Sequence, residues 1–429
     1  MNLLDLNDKA GAYPPSLYAK TAKFLPPQAA AQGRIDCDVV IVGAGFTGLS
    51  AAITLAQQGY RTIILEAHRI GWGASGRNGG QVNVGQRLEQ DTLEKRFGPD
   101  TARLLWELSL ESVAKVKTLI NTYNIDAEAK PGIAYLNNKT ASQKHSQAYV
   151  NFLHKRYDYD KVQLIPKESV QEYAKSDNYK GGLFYKEGIH LNPLKYALGL
   201  GRSALNLGVQ IYENSRVLRL EEKKLITEKA DIHAPYILLA CNGYLGHLYK
   251  PLARKVMPIN SFILATEPLS SASEIMPKDA AVADDRFVVN YYRISKDRRL
   301  VFGGAEAYGY KFPSDIKVKV QKRMLNVFPQ LKNQRIDYAW GGTLGITPMR
   351  MPVFAQPKPW LFTASGYSGH GIAMATLGGE IAAKAIIGQN ASFNLMANLP
   401  IRSFPGGSIM RTPLLFAAMT WYALRDKLA

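Results

Sequence analysis

The apolar positions near the start of the chain predict a compact βαβ unit. Residues 37–45 (CDVVIVGAG) form a continuous apolar run that ends in glycine, which is typical of a buried parallel strand. Residues 46–58 (FTGLSAAITLAQQ) are rich in alanine and predict a helix, and Gly59 follows at a position where glycine commonly ends helices. Residues 61–66 (RTIILE) predict the second strand.

Later segments predict a mixture of helices and strands. The polar stretch 88–123 predicts a helix, and further strands are predicted within 208–223 and 234–243. Residues 256–306 are rich in β-branched and aromatic residues and alternate in polarity, which predicts an antiparallel sheet in a second domain. Glycine-rich sequence returns at 363–371, directly before an alanine-rich helical stretch.

Composition narrows the class of protein. The chain has 429 residues, 46% of them hydrophobic and 21% charged, which predicts a folded globular protein of about two domains. The two cysteines, Cys37 and Cys241, form no disulfide framework, so we expect a cytoplasmic protein. Cysteine and histidine do not cluster, and no metal site is predicted. We expect neither a signal peptide nor a transmembrane segment.

The net charge of +18 results from 53 basic and 35 acidic residues that are scattered along the chain. No nucleic-acid recognition module is visible, so no nucleic-acid partner is predicted. A basic surface also favours anionic cofactors and leaves peripheral contact with a membrane open.

A dinucleotide-binding pattern lies at the turn of the βαβ unit. The pattern GxGxxG follows a strand and opens a helix, and Glu66, 18 residues after its last glycine, ends the second strand. The glycines allow a tight turn and a close approach of pyrophosphate to the helix N-terminus, and the acid suits a ribose with free hydroxyls, as in FAD or NAD. The pattern comprises Gly43, Ala44, Gly45, Phe46, Thr47 and Gly48.

A second glycine-rich segment helps to distinguish FAD from NAD. Residues 71–82 (GWGASGRNGGQV) contain five glycines, and the remote segment 366–371 is also glycine-rich. Two such segments suit a long cofactor that touches main chain along its length, whereas the alternative is a plain flexible loop. Because the chain has a single GxGxxG pattern, we expect the substrate itself to reduce a flavin, as in an oxidase or a dehydrogenase.

These motifs resemble the D-amino-acid oxidase superfamily of FAD-dependent enzymes, and within it the gamma-glutamylputrescine oxidases. The first motif, VVIVGAGFTGLSAA with GWGASGRNGGQV, resembles the superfamily. The segments 290–304 (NYYRISKDRRLVFGG), 366–383 (GYSGHGIAMATLGGEIAA) and the tail 404–428 resemble the subgroup. The resemblance extends from about residue 12 to the end of the chain.

The resemblance implies an α/β fold with a discontinuous Rossmann-like FAD-binding domain and a second, mainly antiparallel β-sheet substrate domain. The implied division has four parts: an N-terminal arm at 1–35; an FAD-binding domain at 36–90, 160–245 and 335–400; a substrate domain at 91–159 and 246–334; and a C-terminal helical tail at 401–429.

The resemblance also assigns contacts to FAD. The GxGxxG residues would hold the pyrophosphate, Glu66 and Ala67 the adenosine side, and Val217 the adenine. Six residues of the second glycine-rich segment would lie beside the ribityl chain and isoalloxazine: Ser75, Arg77, Asn78, Gly79, Gly80 and Gln81. The pyrimidine end would be covered by Gly366, Tyr367, Gly369, His370, Gly371 and Ile372.

Three departures from related enzymes affect the prediction. Sarcosine-type relatives attach FAD through a late cysteine, but no cysteine follows Cys241, so we expect non-covalent FAD. Those relatives hold the substrate carboxylate with a lysine at the position of Ala373, which favours a plain amine here. Met349 and Arg350 replace an acidic residue that is common in the superfamily.

The implied reaction is oxidation of a primary amine, such as gamma-glutamylputrescine, by hydride transfer to flavin, with dioxygen as acceptor. We expect an aromatic lining from Tyr367 and from either Tyr291 or Tyr292, because neighbours on a strand point to opposite faces. His370 would hydrogen-bond near the flavin. Arg350 would pair with a substrate carboxylate or form a structural salt bridge, and Lys255 would favour reaction with oxygen.

Two other functions stay open at this point. One is an amino-acid oxidase or dehydrogenase of the same superfamily that passes electrons to quinone, and the other is a non-catalytic flavoprotein subunit. The segment GYSGH superficially resembles a serine-hydrolase elbow, but His370 occupies the position of the required glycine.

Overall fold

The computed structural model describes residues 2–405, so most of the predicted tail, 406–429, lies outside the described residues. The strands are β1 (Gly33–Asp36), β2 (Val39–Val42), β3 (Thr62–Leu65), β4 (Gln81–Val82), β5 (Lys130–Leu136), β6 (Val162–Ile165), β7 (Gly182–His190), β8 (Gln210–Tyr212), β9 (Arg219–Glu221), β10 (Lys224–Ile226), β11 (Ala230–His233), β12 (Tyr236–Leu239), β13 (Met257–Thr266), β14 (Ala281–Asp284), β15 (Tyr291–Ile294), β16 (Leu300–Ala307), β17 (Ile336–Ile346), β18 (Val353–Lys358) and β19 (Leu361–Ser365).

The α-helices are α1 (Leu3–Leu6), α2 (Leu17–Thr21), α3 (Phe46–Gln57), α4 (Gln90–Phe97), α5 (Pro99–Thr122), α6 (Thr140–Tyr157), α7 (Pro193–Asn206), α8 (Lys250–Ala253), α9 (Ala272–Ile275), α10 (Ile316–Val327), α11 (Gly371–Ile386) and α12 (Ala391–Ala397). The single helix predicted at 88–123 is in fact two. Gly98, with φ +83°, and Pro99 separate α4 from α5, because proline cannot donate the hydrogen bond that would continue α4.

A six-stranded sheet carries the predicted βαβ unit. Its strand order is β18-β19-β12-β2-β3-β8, and every pair except β18–β19 is parallel. The chain leaves β2 for α3 and then β3 on one side, while β12 lies on the other side of β2. The carboxyl ends of β2 and β12 therefore form the kind of switch point at which α/β sheets bind ligands. Helix α11 packs tightly on α3, since a Cβ on Gly379 would lie 2.2 Å from the carbonyl oxygen of Thr47.

A nine-stranded, mainly antiparallel sheet forms the second part of the fold, as predicted. Its order is β17-β13-β16-β15-β14-β5-β7-β4, and β6 also pairs with β7. Helix α10 packs on one face of this sheet and buries a separate hydrophobic cluster there. The other face is turned toward the FAD-binding part, where residues of β13, β15 and β16 line a cavity.

Strand pairing divides the chain differently from the predicted domain boundaries. Strands β6, β7 and β17 fall in segments assigned to the FAD-binding domain, yet they hydrogen-bond into the large sheet. Conversely, α5 packs on α11 although the segment 91–159 was assigned to the substrate domain. The predicted boundaries followed the family resemblance, which does not reveal which strands of this chain pair across long separations.

The N-terminal arm contacts both parts of the fold. Asn7 donates from Nδ2 to the carbonyl of Tyr310 at 2.8 Å and accepts from the backbone N–H of Phe312 at 2.7 Å. Asp8 pairs with Arg77 at 2.6 Å. At the end of the arm, β1 pairs with β11 in a small four-stranded sheet.

Within residues 2–405, no single helix is both long and apolar enough to cross a bilayer; α11 and α12 reach that length and apolar character only together, and they are bent by 113° relative to each other.

Candidate functional site

The turn after β2 forms a groove lined by main chain. Gly43 has φ +108°, and a Cβ on Gly48 would lie 2.0 Å from the carbonyl oxygen of Gly43. Gly45 caps the N-terminus of α3, whose free N–H groups and dipole favour an anion. The GxGxxG residues thus form the tight turn that the sequence predicts, and this turn has no room for a side chain at Gly48.

Glu66 lies at the end of β3, next to this turn. Its carboxylate accepts from the backbone N–H of Ala44 at 2.8 Å and of His68 at 2.9 Å. Burial, which leaves the residue 8% exposed, raises the pKa of Glu66 to about 7. The predicted acid and the glycine turn are therefore one unit, with Ala67 directly beside it.

A cavity of about 720 Å³ extends from this turn to the large sheet. It is lined by the start of α3, by the glycine-rich segment from Ala74 to Gln81, by the turn that precedes α11, and by the large sheet. Two glycine-rich segments from remote parts of the chain thus face one cavity, as expected for a long cofactor.

Side chains within the glycine-rich segment fix its course. Asn78 donates from Nδ2 to the carbonyls of Ala74 and Ser75, both at 3.0 Å, and accepts from the N–H of Gly80 at 2.9 Å. The Ser75 hydroxyl accepts from the N–H of Phe46 at 3.0 Å, which joins the segment to α3.

The last glycines of this segment are required by close contacts. Gly80 has φ +78°, and a Cβ there would lie 2.1 Å from the carbonyl oxygen of Leu191. At Gly79 a Cβ would lie 2.6 Å from the ring of Tyr291. Gln81 continues into β4 and donates to the carbonyl of Val282 at 2.8 Å. The bare main chain is therefore wedged between the two parts of the fold.

The guanidinium of Arg77 is held by the N-terminal arm and by the start of its own segment. Its Nε donates to the carbonyl of Trp72 at 2.6 Å, and its Nη1 pairs with Asp8 at 2.6 Å. The guanidinium also stacks 4.2 Å from the Trp72 ring centroid. Arg77 therefore anchors the segment to the N-terminal arm.

The turn before α11 brings Tyr367 and His370 to the cavity. The Tyr367 hydroxyl bonds to Thr47 Oγ1 at 2.7 Å, so it connects α11 to α3. His370 Nε2 bonds to the carbonyl oxygen of Asn83 at 3.0 Å, and burial lowers its pKa to about 4. His370 is therefore neutral at pH 7. Gly366 and Gly369, with φ of +77° and +89°, shape this turn, and Gly371 and Ile372 begin the helix.

The two neighbouring tyrosines separate as strand alternation requires. Tyr291 lines the cavity and its hydroxyl bonds to Ser261 Oγ at 3.2 Å. Tyr292 points to the opposite face, where it stacks on Phe302 and bonds to the Tyr179 hydroxyl at 3.1 Å. The assignment of Tyr292 to the site is therefore wrong, because its ring belongs to the core beneath α10.

Of the remaining predicted residues, Arg350 lines the cavity, whereas Lys255 and Val217 do not. Arg350 lines the cavity in a left-handed conformation, with φ +61°. Lys255 follows α8 and is not among the described residues that line the cavity, so its expected role near the flavin has no support. Val217 precedes β9, outside this cavity, and is partly buried against the core.

Sequence reasoning missed several polar residues of the cavity, above all Arg87, Ser261, Asp284 and Glu306. Ser261 and Glu306 face each other across β13 and β16. The signal in the sequence was Glu306, the one charged residue of the otherwise apolar strand β16, but its pairing with Ser261 is visible only in the fold.

The arrangement fits FAD on two observations of the chain itself. Gly43 and Gly45 are partly exposed, and a Cβ at either position would collide with neighbouring atoms, so glycine keeps the groove open there. The N-terminus of α3 points into this groove. The groove leads directly into the cavity, whose wall is main chain at Gly79 and Gly80. A pyrophosphate at the first position and a flat ring at the second are the ligand groups that such surfaces accept.

Comparison with known proteins agrees with this geometry. A family model described as FAD dependent oxidoreductase (DAO) matches residues 38–385. The chain is 37% identical over 416 residues to the probable oxidoreductase OrdL of Rhizobium meliloti, which covers 96% of this chain and 97% of that protein. It is 36% identical over 421 residues to the gamma-glutamylputrescine oxidoreductase of Escherichia coli, and the match covers 96% of this chain and 98% of that protein.

The fold is also that of solved structures. Glycine oxidase from Geobacillus kaustophilus superposes with a TM-score of 0.73 at 19% identity, over 84% of this chain and 97% of that one. At this identity the likeness concerns the fold alone. Taken with the family match, it confirms the predicted α/β architecture and the predicted cofactor, and the chain belongs to the DAO family of FAD-dependent oxidoreductases.

Proposed function

We propose that the protein oxidises a primary amine, gamma-glutamylputrescine or a related polyamine derivative, to an aldehyde and ammonia. When bound, FAD would supply the redox chemistry as acceptor of the hydride from the carbon that carries the amine; water would hydrolyse the resulting imine, and dioxygen would be the final electron acceptor, with release of hydrogen peroxide. FAD is held without a covalent bond. The observation that carries the proposal is 36% identity to the gamma-glutamylputrescine oxidoreductase of Escherichia coli over nearly the full length of both chains.

The cavity supports an elongated substrate with polar ends. Its inner part is formed by the main chain of Gly79 and Gly80 and the ring of Tyr291, whereas Arg87 and Arg286 are exposed farther out. An amine would enter between aromatic and aliphatic surfaces, and a distal carboxylate would meet arginine, with Arg350 as the predicted partner.

Ala373 supports a substrate without a carboxylate beside the reacting carbon. It lies in the first turn of α11 and is 2% exposed, packed in the hydrophobic core. No cation is therefore offered from this position of the helix. The neutral His370 next to it adds no positive charge at pH 7.

We place the reaction in the cytoplasm. Cys37 precedes β2 and Cys241 follows β12, and these strands are parallel neighbours. The two thiols thus lie at opposite ends of one sheet, where they cannot form a disulfide with each other. Burial raises the pKa of both thiols, so both are unreactive at neutral pH.

An anaerobic titration tests the proposal. Purified yellow protein is mixed with gamma-glutamylputrescine, putrescine, glycine, sarcosine and D-alanine in turn, and flavin absorbance near 450 nm is followed before and after air is admitted. We expect bleaching by gamma-glutamylputrescine and recovery with peroxide release. Bleaching by an amino acid instead would indicate an amino-acid oxidase, and no bleaching by any compound would contradict an oxidase function.

A further inference from the structure

We propose that Glu306 binds the ammonium group of the substrate and accepts a proton from it before oxidation. This inference rests on the proposed amine oxidase function and names the residue that would prepare the amine.

Glu306 lies on the wall of the cavity that leads to the glycine-rich segment. In the register of β16 and β13, Glu306 is the direct partner of Ser261. Ser261 Oγ bonds to the Tyr291 hydroxyl at 3.2 Å, and the ring of Tyr291 covers Gly79. A continuous row of side chains therefore connects the Glu306 carboxylate with the main chain beside which the flavin is expected.

The other carboxylates that line the cavity are already engaged. Glu89 contacts His145 Nε2 at 2.7 Å. Asp284 accepts from the backbone N–H of Asn290 at 2.8 Å and from its side-chain amide at 2.7 Å, which closes a turn. Asp285 accepts from the backbone N–H of Asn138 at 2.9 Å.

The carboxylate of Glu306 has two oxygens that can accept hydrogen bonds. The Tyr308 hydroxyl donates to Oε2 at 3.2 Å, and each oxygen of an ionised carboxylate has two lone pairs. Oε1 therefore has the capacity to accept from an ammonium group in the cavity.

Several charged and titratable groups surround Glu306. Arg350 follows β17, Arg323 lies on α10 and Arg87 follows β4, and all three favour the ionised carboxylate. Tyr308 and Tyr291 are its nearest titratable neighbours on the sheet. Burial outweighs the arginines and raises the pKa of Glu306 above the usual range of a glutamate, which makes it a stronger proton acceptor.

The chemistry requires such an acceptor. An alkyl amine with a pKa near that of lysine, about 10.4, is almost entirely ammonium at pH 7, and the ammonium nitrogen has no lone pair to support loss of a hydride. Transfer of one proton from the ammonium nitrogen to Glu306 Oε1 breaks an N–H bond and forms an O–H bond. It leaves a neutral amine beside a neutral acid, and a buried ion pair becomes a pair without net charges.

The test compares Glu306→Gln, Glu306→Asp and the control Glu274→Gln, which removes an exposed carboxylate on α9, away from the cavity. Two readouts are used on the holoenzyme. The first is the rate of anaerobic bleaching by gamma-glutamylputrescine from pH 6 to 10. The second is the affinity for an analogue whose amine-bearing carbon carries two methyl groups, so that it has no hydride to lose.

We expect Glu306→Gln to lower the bleaching rate at pH 7.5 by about 100-fold, as for loss of a general base, and to move the rate's rise toward the pKa of the free amine. Glu306→Asp should recover part of the rate. The analogue should bind Glu306→Gln about tenfold more weakly, since a charged hydrogen bond is lost. Glu274→Gln should match the wild type in both readouts.

The outcomes separate the two proposals. If the wild type is bleached and Glu306→Gln has the same rate, pH profile and analogue affinity, the role of Glu306 is overturned while the oxidase function stands. If the wild type is not bleached but binds the analogue in a Glu306-dependent way, the ammonium site stands and the oxidase function fails. Absence of both overturns both.

Discussion

The nucleotide groove and the cavity wall are built in opposite ways. The groove consists of main chain from one stretch, 43–48, together with Glu66 at the end of the next strand. The wall combines Gly79 with Tyr291, Ser261 and Glu306, which are brought together by strand pairing. A site made of consecutive main chain is specified locally, whereas a site made of side chains on paired strands depends on the whole sheet.

The strongest test of this contrast is Gly48→Ala. The added Cβ would lie 2.0 Å from the carbonyl oxygen of Gly43, and no side chain can move to relieve a clash between two parts of one main-chain turn. We expect the purified variant to retain less than about a tenth of the wild-type FAD, measured as the ratio of absorbance at 450 and 280 nm. Gly309→Ala, at a glycine with open space around it, is the control. Full FAD content in Gly48→Ala would contradict the account of the groove.

Gly79→Ala should weaken FAD binding less than Gly48→Ala does, and a second substitution should restore the binding. Here the Cβ meets the ring of Tyr291, 2.6 Å away, rather than main chain. Overpacking of this kind costs about 2 kcal/mol, which corresponds to roughly 30-fold weaker FAD binding. The double variant Gly79→Ala/Tyr291→Ala removes the obstacle and should bind FAD within about threefold of the wild type in a fluorescence titration. If the double variant binds no better than Gly79→Ala, the clash lies elsewhere.

These two glycines also show what the sequence could and could not predict. Gly48 belongs to a pattern whose spacing has a local physical reason, so its role could be predicted without the fold. The resemblance predicts that Gly79 lies near the cofactor, and the structure places it on the cavity wall, but its contact with Tyr291 arises from β15, over 200 residues later. For the same reason the large sheet was predicted while its members β6, β7 and β17 were assigned to the other domain. Glu306 was missed because neither burial nor cross-strand neighbours can be read from one strand.

A third prediction concerns the pH dependence of FAD binding. In the protein without cofactor, burial raises the pKa of Glu66 to about 7, and ribose hydroxyls prefer to donate to the ionised form. Bound FAD should therefore lower this pKa, so a proton is released on binding and affinity rises with pH. Between pH 6 and 8 we expect FAD affinity to increase about tenfold, measured by fluorescence titration. The matched variant Glu66→Gln should bind FAD more weakly and without this rise. If FAD affinity increases equally with pH in both proteins, the released proton belongs to another group.

The smallest effect is expected for Tyr292→Phe, which compares the two faces of one strand. Tyr292 is 1% exposed, and its hydroxyl bonds to that of Tyr179 in the core beneath α10. Loss of this bond should lower the free energy of unfolding by about 1 kcal/mol, measured by urea denaturation, without a change in FAD affinity or amine turnover.

Tyr291→Phe is the matched variant on the other face, because it removes one hydroxyl from the adjacent residue. It loses the bond to Ser261 within the cavity, so we expect turnover of gamma-glutamylputrescine to fall while stability stays within about 1 kcal/mol of the wild type. Because both variants remove the same hydroxyl group, a difference between them reports which face of the strand the tyrosine occupies. A loss of turnover in Tyr292→Phe as large as that in Tyr291→Phe would mean that the sheet transmits changes from its buried face to the cavity. The wall would then have to be treated as part of the core rather than as a surface carried by it.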